Sequence, residues 1–251
     1  MYSYFLADLL KNPNQDVTHI KERLKVLGYN LKETFYIIAI PPVSHNFSDL
    51  KLEVILEHLK DIFSGSIYVI YEDTIVFLIS RAMNQNLSEY ELSQLSKYLV
   101  VNDLKAGISN FFQNLEDASR FFHQAIDSVH LGMKLKDSSP IYYYSDYYLY
   151  QMLEIYEKED SQIRFLIHPG LMKLYLYDQK RNTDFMITLR EYLSQPGQPA
   201  KIAKNLHIHK NTLLYRMKKI KEITDCDFIE GEDFMNFNLS IRIMKYLGMI
   251  V

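Results

Sequence analysis

Apolar and polar positions along this chain predict a mixed run of strands and helices, followed by helices alone. Met1–Leu10 reads as a short helix, apolar on much of its surface and stopped by Lys11-Asn12-Pro13-Asn14. Asp16–Leu27 reads as an amphipathic helix, with Val17, Ile20, Leu24 and Leu27 on one side and Gly28 at its C-cap. Thr34–Ile40 (TFYIIAI) is a buried strand ended by Pro41-Pro42. A helix over Asp49–Phe63 presents Leu52, Ile55, Leu56, Leu59 and Phe63 on one side. Ser66–Ser80 is a β-hairpin with its turn near Glu72-Asp73. There follow a helix over Ser88–Leu99, a strand over Leu104–Ser109 and a long helix over Leu115–Lys134. That long helix turns Ala118, Phe121, Phe122, Ala125 and Val129 inward, and Ile141–Tyr144 is one more short strand. The order β-α-β-β-α-β-α-β predicts a mostly antiparallel sheet beneath helices on one face.

From Tyr148 to Tyr177 the pattern is helical, with breaks around Lys158-Glu159-Asp160 and His168-Pro169-Gly170. Asp184–Leu193 is a helix, and Gln195-Pro196-Gly197-Gln198 is a loop. Ala200–Leu206 forms a short helix with Pro199 in its first turn, where a missing N–H costs nothing. After His207-Ile208-His209, a longer helix runs from Lys210 to Thr224. Its Leu213, Met217, Ile220 and Thr224 fall at i, i+4, i+7 and i+11, one buried stripe. The opposite side carries Asn211, Tyr215, Lys218 and Glu222, flanked by Leu214, Lys219 and Lys221. Glu232–Leu247 closes the small core with Phe234, Phe237, Leu239, Ile243, Met244 and Leu247.

Charge singles out this pair of helices. No acidic residue lies between Glu191 and Glu222, while Lys201, Lys204, Lys210, Arg216, Lys218, Lys219 and Lys221 do. Without those seven cations the net charge of the chain falls from −3 to −10. A basic island on an acidic protein points to a polyanion partner for the island alone. Two short helices with a tight turn, the second basic on its outer face, describe a helix-turn-helix whose second helix enters a major groove. A solvated basic surface on an ordinary helical hairpin is the plainer alternative.

The stretch AKNLHIHKNTLLYRMKKI resembles the C-terminal helix-turn-helix of the bacterial purine-catabolism and sugar-diacid regulators, the PucR/CdaR type. The resemblance is carried by Ala203, Leu206, His209-Lys210-Asn211-Thr212, Leu213, Tyr215-Arg216 and Ile220, and upstream by Thr188-Leu189-Arg190-Glu191-Tyr192-Leu193. Tyr177-Asp178 and the polar stretch after it resemble the junction before the DNA-binding domain. The sequence departs from the family at Gln198, where Asn usually serves as the N-cap, and Gln is a poor one. The hairpin, AGISNFF and LEDASRFFHQAIDSVHLG are similar to the degenerate GGDEF-like domain that precedes the motif in that family. The resemblance implies an α+β fold, with an antiparallel-rich sheet and its helices followed by an all-α helix-turn-helix domain. Residues 1–30 would be N-terminal helices, 31–145 the GGDEF-like domain, 146–180 a helical linker and 181–251 the DNA-binding domain.

Composition adds bounds. Apolar residues make up 48% of the chain and charged residues 24%, ordinary for a globular protein. A single cysteine, Cys226, forms no internal disulfide and points to a reducing compartment. No apolar run approaches the ~20 residues needed to span a bilayer, and the start lacks the basic front of a secretion signal. The expected location is the cytoplasm, away from membranes.

Catalytic chemistry finds little support. An active cyclase needs metal-binding carboxylates and a Gly-Gly turn that lets the backbone approach a phosphate. The hairpin tip reads Tyr71-Glu72-Asp73-Thr74, with no glycine pair, so Glu72 and Asp73 read as turn residues. There is no Walker-type loop and no G-x-G-x-x-G. His207 and His209 stand two apart, unlike the i, i+4 pairs that hold zinc on helices, and no Cys or carboxylate lies near them in sequence. His168-Pro169 reads as a helix boundary, and Cys226 as a packed thiol without a partner. No cofactor or metal is expected. The tyrosines at 142, 143, 144, 147, 148 and 150 pack at a strand-to-helix corner with wet hydroxyls, or else stack on nucleobases or sugars or line a protein interface; an unknown small effector is expected here or on the sheet face beneath.

The expected function is sequence-specific binding of double-stranded DNA by a transcriptional regulator that is not an enzyme. The alternative is a nucleotide-sensing or nucleotide-processing protein whose basic helices bind RNA or a protein partner. Asn211, Tyr215 and Lys218 are assigned to the groove-facing side, with Asn suited to bidentate contact with adenine. Thr212 and His209 lie near the N-terminus of the recognition helix, positioned for phosphate. Lys201, Lys210, Lys219 and Lys221 are assigned to sequence-independent phosphate attraction. Arg216 either reaches a phosphate or braces the fold through a carboxylate. Specific binders of this size pair on half-sites about one helical turn apart, so a homodimer is expected.

Overall fold

The computed structural model describes residues 2–11, 22, 24–26, 28, 30–42, 49–83, 85–159, 162–227 and 231–250. The chain divides into two compact units, Met1–Gln151 and Met152–Val251. The first contains α1 (Tyr2–Lys11), β1 (Thr34–Ile40), α2 (Asp49–Leu59), β2 (Ile67–Tyr71), β3 (Thr74–Arg81) and α3 (Glu89–Val101). It continues with β4 (Ala106–Ile108), α4 (Ala118–Lys134), β5 (Ile141–Tyr143) and the start of α5 (Tyr144–Glu159). The second holds the rest of α5, then α6 (Pro169–Arg181), α7 (Phe185–Ser194), α8 (Pro199–Asn205), α9 (Lys210–Thr224) and α10 (Gly231–Tyr246). The expected break after Lys11 and most of the expected helix Asp16–Leu27 lie outside the described residues; Leu24 is buried.

Five strands form one sheet in the order β2-β3-β1-β4-β5. β1 pairs antiparallel with β3 and β4, and β2 with β3. β5 runs parallel to β4, Gly107 opposite Tyr142, and the sheet is mostly antiparallel, as expected. The crossover that a parallel pair requires is α4. Between β2 and β3 the chain turns on Glu72 and Asp73 alone, both at positive φ (45° and 59°). That is the geometry of a primed two-residue turn, which matches the strand twist.

The expectation of helices on one face is corrected. Phe35, Ile37, Ala39, Val76 and Leu78 pack with Leu6, Leu9 and Leu10 of α1 and with Ala118, Phe122 and Ala125 of α4. Ile38, Ile40, Ile75, Phe77 and Ile79 point the other way, onto Leu52, Ile55 and Leu59 of α2 and Leu95 and Leu99 of α3. Side chains alternate faces along a strand, so a sheet covered on both sides needs apolar residues at every position. β1 and β3 meet that demand. Gly107 is dictated by proximity, because a Cβ there would sit 1.8 Å from the Ala125 carbonyl oxygen of α4.

The tyrosine corner is packed. Tyr142, Tyr147 and Tyr150 are buried. Their hydroxyls are not simply wet: Tyr142 donates to the Asp137 carbonyl (3.0 Å) and Tyr147 to the Asp137 carboxylate (2.7 Å). Burial, then the hydrogen bond to Asp137, pushes the Tyr147 hydroxyl far above its ordinary value. Among the described residues, no helix is long and apolar enough to cross a membrane.

Candidate nucleic-acid interface

The second unit is built to hold α9. Leu213, Met217, Ile220 and Thr224 are buried, as their spacing requires, and α9 packs on α6, α7 and α8. Each of the three apolar side chains contributes roughly 1.5–3 kcal/mol by leaving water. α10 closes the core with Phe237, Ser240, Ile243, Met244 and Tyr246. Leu239, expected inside, is instead exposed, and Ser240 takes the inward position, accepting the His168 N–H at 2.8 Å.

The turn between α8 and α9 is tight. His207 adopts φ 53°, and the N–H groups of His207 and Ile208 return to the carbonyls of Lys204 (3.1 Å) and Ala203 (2.9 Å). These two bonds satisfy carbonyls that the helix end would otherwise orphan. His209 is the N-cap of α9. Its backbone is extended, and its Nδ1 accepts the Asn211 N–H at 3.3 Å. Gln198 makes no side-chain cap at the start of α8, as its chemistry predicts, and Pro199 occupies the first turn.

Two carboxylates to which the sequence reading assigned no bonding role fix the supporting helices. Asp178 of α6 is buried, and its carboxylate accepts the N–H groups of Phe185 (3.2 Å) and Met186 (2.7 Å) and the Thr183 hydroxyl. It thereby caps α7 from a neighbouring helix, where Asp184 makes no side-chain cap. Glu191 of α7 accepts from Asn205 (2.6 Å) of α8 and from Gln195 (2.6 Å). The Asp178 cap and the Glu191–Asn205 bond have no local sequence pattern, whereas Glu191 and Gln195 stand four apart.

The structure sorts the predicted contact residues into two groups. Lys201, His209, Lys210, Asn211, Thr212, Tyr215 and Lys218 are exposed, Tyr215 at 59%. Among the described residues, no carboxylate lies within ion-pair reach of Lys201, Lys210 or Lys218. Arg216, Lys219 and Lys221 are instead engaged within the protein. Arg216 donates to Thr188 Oγ1 (3.0 Å) and lies 3.6 Å from Asp184, with its side chain 22% exposed. Both contacts are of the bracing kind. Lys219 pairs with Glu222 (2.6 Å) and Lys221 with Asp227 (2.8 Å). The hydrogen bond to Glu222 holds the Lys219 ammonium above its ordinary value and Glu222 below its own. Apart from Lys201 on α8, the first group lies on α9 or at its N-cap, and at that N-terminus backbone N–H groups and the helix dipole favour anions.

Residues 185–243 match the PucR C-terminal helix-turn-helix domain, and residues 11–131 match the GGDEF-like domain. The chain thus carries a PucR-type helix-turn-helix domain together with a GGDEF-like domain. The PucR-type motif therefore begins at α7, contains α8 and α9, and ends within α10. Three curated relatives come from Bacillus subtilis (strain 168). The DNA-binding transcriptional activator AdeR is 23% identical over 163 residues, 63% of this chain and 38% of that protein. The purine catabolism regulatory protein is 26% identical over 142 residues, 57% and 26% of the two chains. The proline-responsive transcriptional activator PutR is 23% identical over 213 residues, 82% and 50%. The aligned region thus spans between about a quarter and a half of the length of these relatives.

Proposed function

We propose that this PucR-type chain is a transcriptional regulator that binds double-stranded DNA in a sequence-dependent way through the exposed ridge of α9. The observation that carries the reading is the row Asn211, Tyr215 and Lys218, which stands free of the protein while the opposite stripe of the same helix is buried. A helix presented like this fits a major groove. Asn211 is assigned to a base edge, and Tyr215 to a base or sugar beside it. Lys201, Lys210, Thr212 and Lys218 are assigned to phosphates. His209 joins them: its Nδ1 is used as the cap, which leaves Nε2 as the donor. Lys219 and Lys221 contribute less, because a phosphate must compete with Glu222 and Asp227 for them. Arg216 is assigned to the fold.

No catalysis is proposed for the GGDEF-like unit. A two-residue turn built on Glu72 and Asp73 brings no glycine backbone toward a phosphate. The relatives named as activators and regulators support the same reading. A single helix-turn-helix per chain supports a homodimer on paired half-sites. Selection of bound sequences from random duplex DNA by the purified protein tests the proposal. Enrichment of one motif, repeated at a spacing near one helical turn, is the expected outcome. Recovery of unenriched sequence overturns it.

A further inference from the structure

His168, Cys226 and Asp233 come from three separate parts of the second unit and converge. One ligand atom from each lies within 4.8 Å of the other two. His168 precedes α6, Cys226 follows α9, and Asp233 lies in the first turn of α10. All three are partly exposed, so an ion can reach them from solvent. The convergence has no spacing signature, because the histidine lies far upstream of the other two.

The histidine is held in place before any ion arrives. Its backbone N–H donates to Ser240 Oγ (2.8 Å), and its Nδ1 accepts the Gly170 N–H (3.1 Å). Its ring packs against Phe237 with centroids 4.8 Å apart. The cysteine segment is pressed against the same place: a Cβ on Gly170 would stand 2.8 Å from the Thr224 carbonyl oxygen. The Cys226 thiol donates to that carbonyl at 3.3 Å. The ligand-bearing segments of α6 and α9 are therefore in fixed contact, and α10 is tied in through Ser240.

We propose that His168, Cys226 and Asp233 form a zinc-class metal site that joins the end of the recognition helix to α6 and α10. One sulfur, one imidazole nitrogen and one carboxylate oxygen suit a borderline-soft, tetrahedral divalent ion, with water as the fourth ligand. The imidazole takes the ion through the lone pair of one ring nitrogen while the other keeps the ring's N–H. The thiol proton leaves to solvent as the metal–sulfur bond forms, so each ion taken up releases one proton. Occupancy then crosslinks three helices at the end of α9.

The inference does not depend on DNA binding, and neither does its test. Co²⁺ is titrated into chelator-treated protein, and thiolate-to-cobalt charge transfer and tetrahedral d–d absorption are followed. One equivalent per chain, displaced by Zn²⁺, is expected. Zn²⁺ should also raise the melting temperature. Cys226→Ser should abolish the charge-transfer band. Asp233→Asn and His168→Asn should each weaken Zn²⁺ at least tenfold, and Asn at 168 keeps a capping oxygen so that the fold survives. Absence of the charge-transfer band in the folded wild-type chain overturns the proposal. So does equal Zn²⁺ affinity across the wild type and all three folded variants.

Discussion

Arg216 Nη1 donates to Thr188 Oγ1 at 3.0 Å, while that same hydroxyl donates to the Asp184 carbonyl at 2.8 Å. Thr188 is fully buried. The recognition helix is thus pinned to α7 by a charged donor acting on a satisfied acceptor. Bonds of this kind contribute about 1.5–3 kcal/mol. Arg216→Ala should therefore lower stability by about 2 kcal/mol in urea unfolding. Paired with Thr188→Val in a double-mutant cycle, it should show coupling above about 0.5 kcal/mol. Additive effects would mean that the contact contributes nothing.

Lys218 and Lys219 are neighbours in sequence with different surroundings: Lys219 is ion-paired with Glu222, while Lys218 acts on Glu222 only at longer range. Each phosphate neutralised adds about 0.9 to the slope of log K against log salt. Lys218→Ala should reduce that slope by about one, and Lys219→Ala by less. Binding isotherms across a salt series distinguish them. Equal reductions would show that Glu222 releases Lys219 on binding.

Asn211 is assigned to a base edge, where a bidentate pair discriminates by about 1–3 kcal/mol. Asn211→Ala should relax the preference at one position of the selected motif while leaving the salt slope unchanged. Competition between the selected duplex and its single-base variants measures this. A uniform loss across all duplexes would reassign Asn211 to the backbone.

Glu91 links stability to pH in the first unit. Burial pushes its carboxyl up. Hydrogen bonds from the Ser88 N–H (2.9 Å), the Ser88 hydroxyl (2.7 Å) and the Arg81 guanidinium outweigh burial and hold it below its ordinary value. A depressed native value stabilises the fold above the unfolded value of about 4.3, and that contribution is lost as pH falls below it toward the native value. Glu91→Gln should cost about 1 kcal/mol at pH 7 through the capping box, and much less at about pH 3. Denaturant midpoints at the two pH values give the comparison, and an equal cost at both would contradict the linkage.

The elements were legible because their signals are local. The apolar run of β1, the Glu72-Asp73 turn and the α9 stripe each depend on residues close in sequence, and each appears as read. What is less legible is mostly non-local. The unbroken apolar runs of β1 and β3 do carry the two-sided burial, but which helix covers which face depends on chain crossovers. Leu239 and Ser240 differ by one position on a helix, a rotation of about 100°. Hydrophobicity alone favours the leucine, whereas the inward place goes to the serine that accepts the His168 N–H. The fates of Arg216, Lys219 and Lys221 were set by Thr188, Glu222 and Asp227. Glu222 and Asp227 lie three and six residues from their lysines, so that pairing is legible in the sequence, whereas Thr188 is far from Arg216.

The most direct measurement is the affinity of the triple variant Asn211→Ala, Tyr215→Ala, Lys218→Ala for the selected duplex. Fluorescence anisotropy would give the affinity, and circular dichroism and unfolding would establish that the fold is intact. These three side chains are exposed, so stability should change little. Affinity should fall at least a hundredfold, about 2.7 kcal/mol. Wild-type affinity in the folded variant would contradict the assignment of this helix face to DNA.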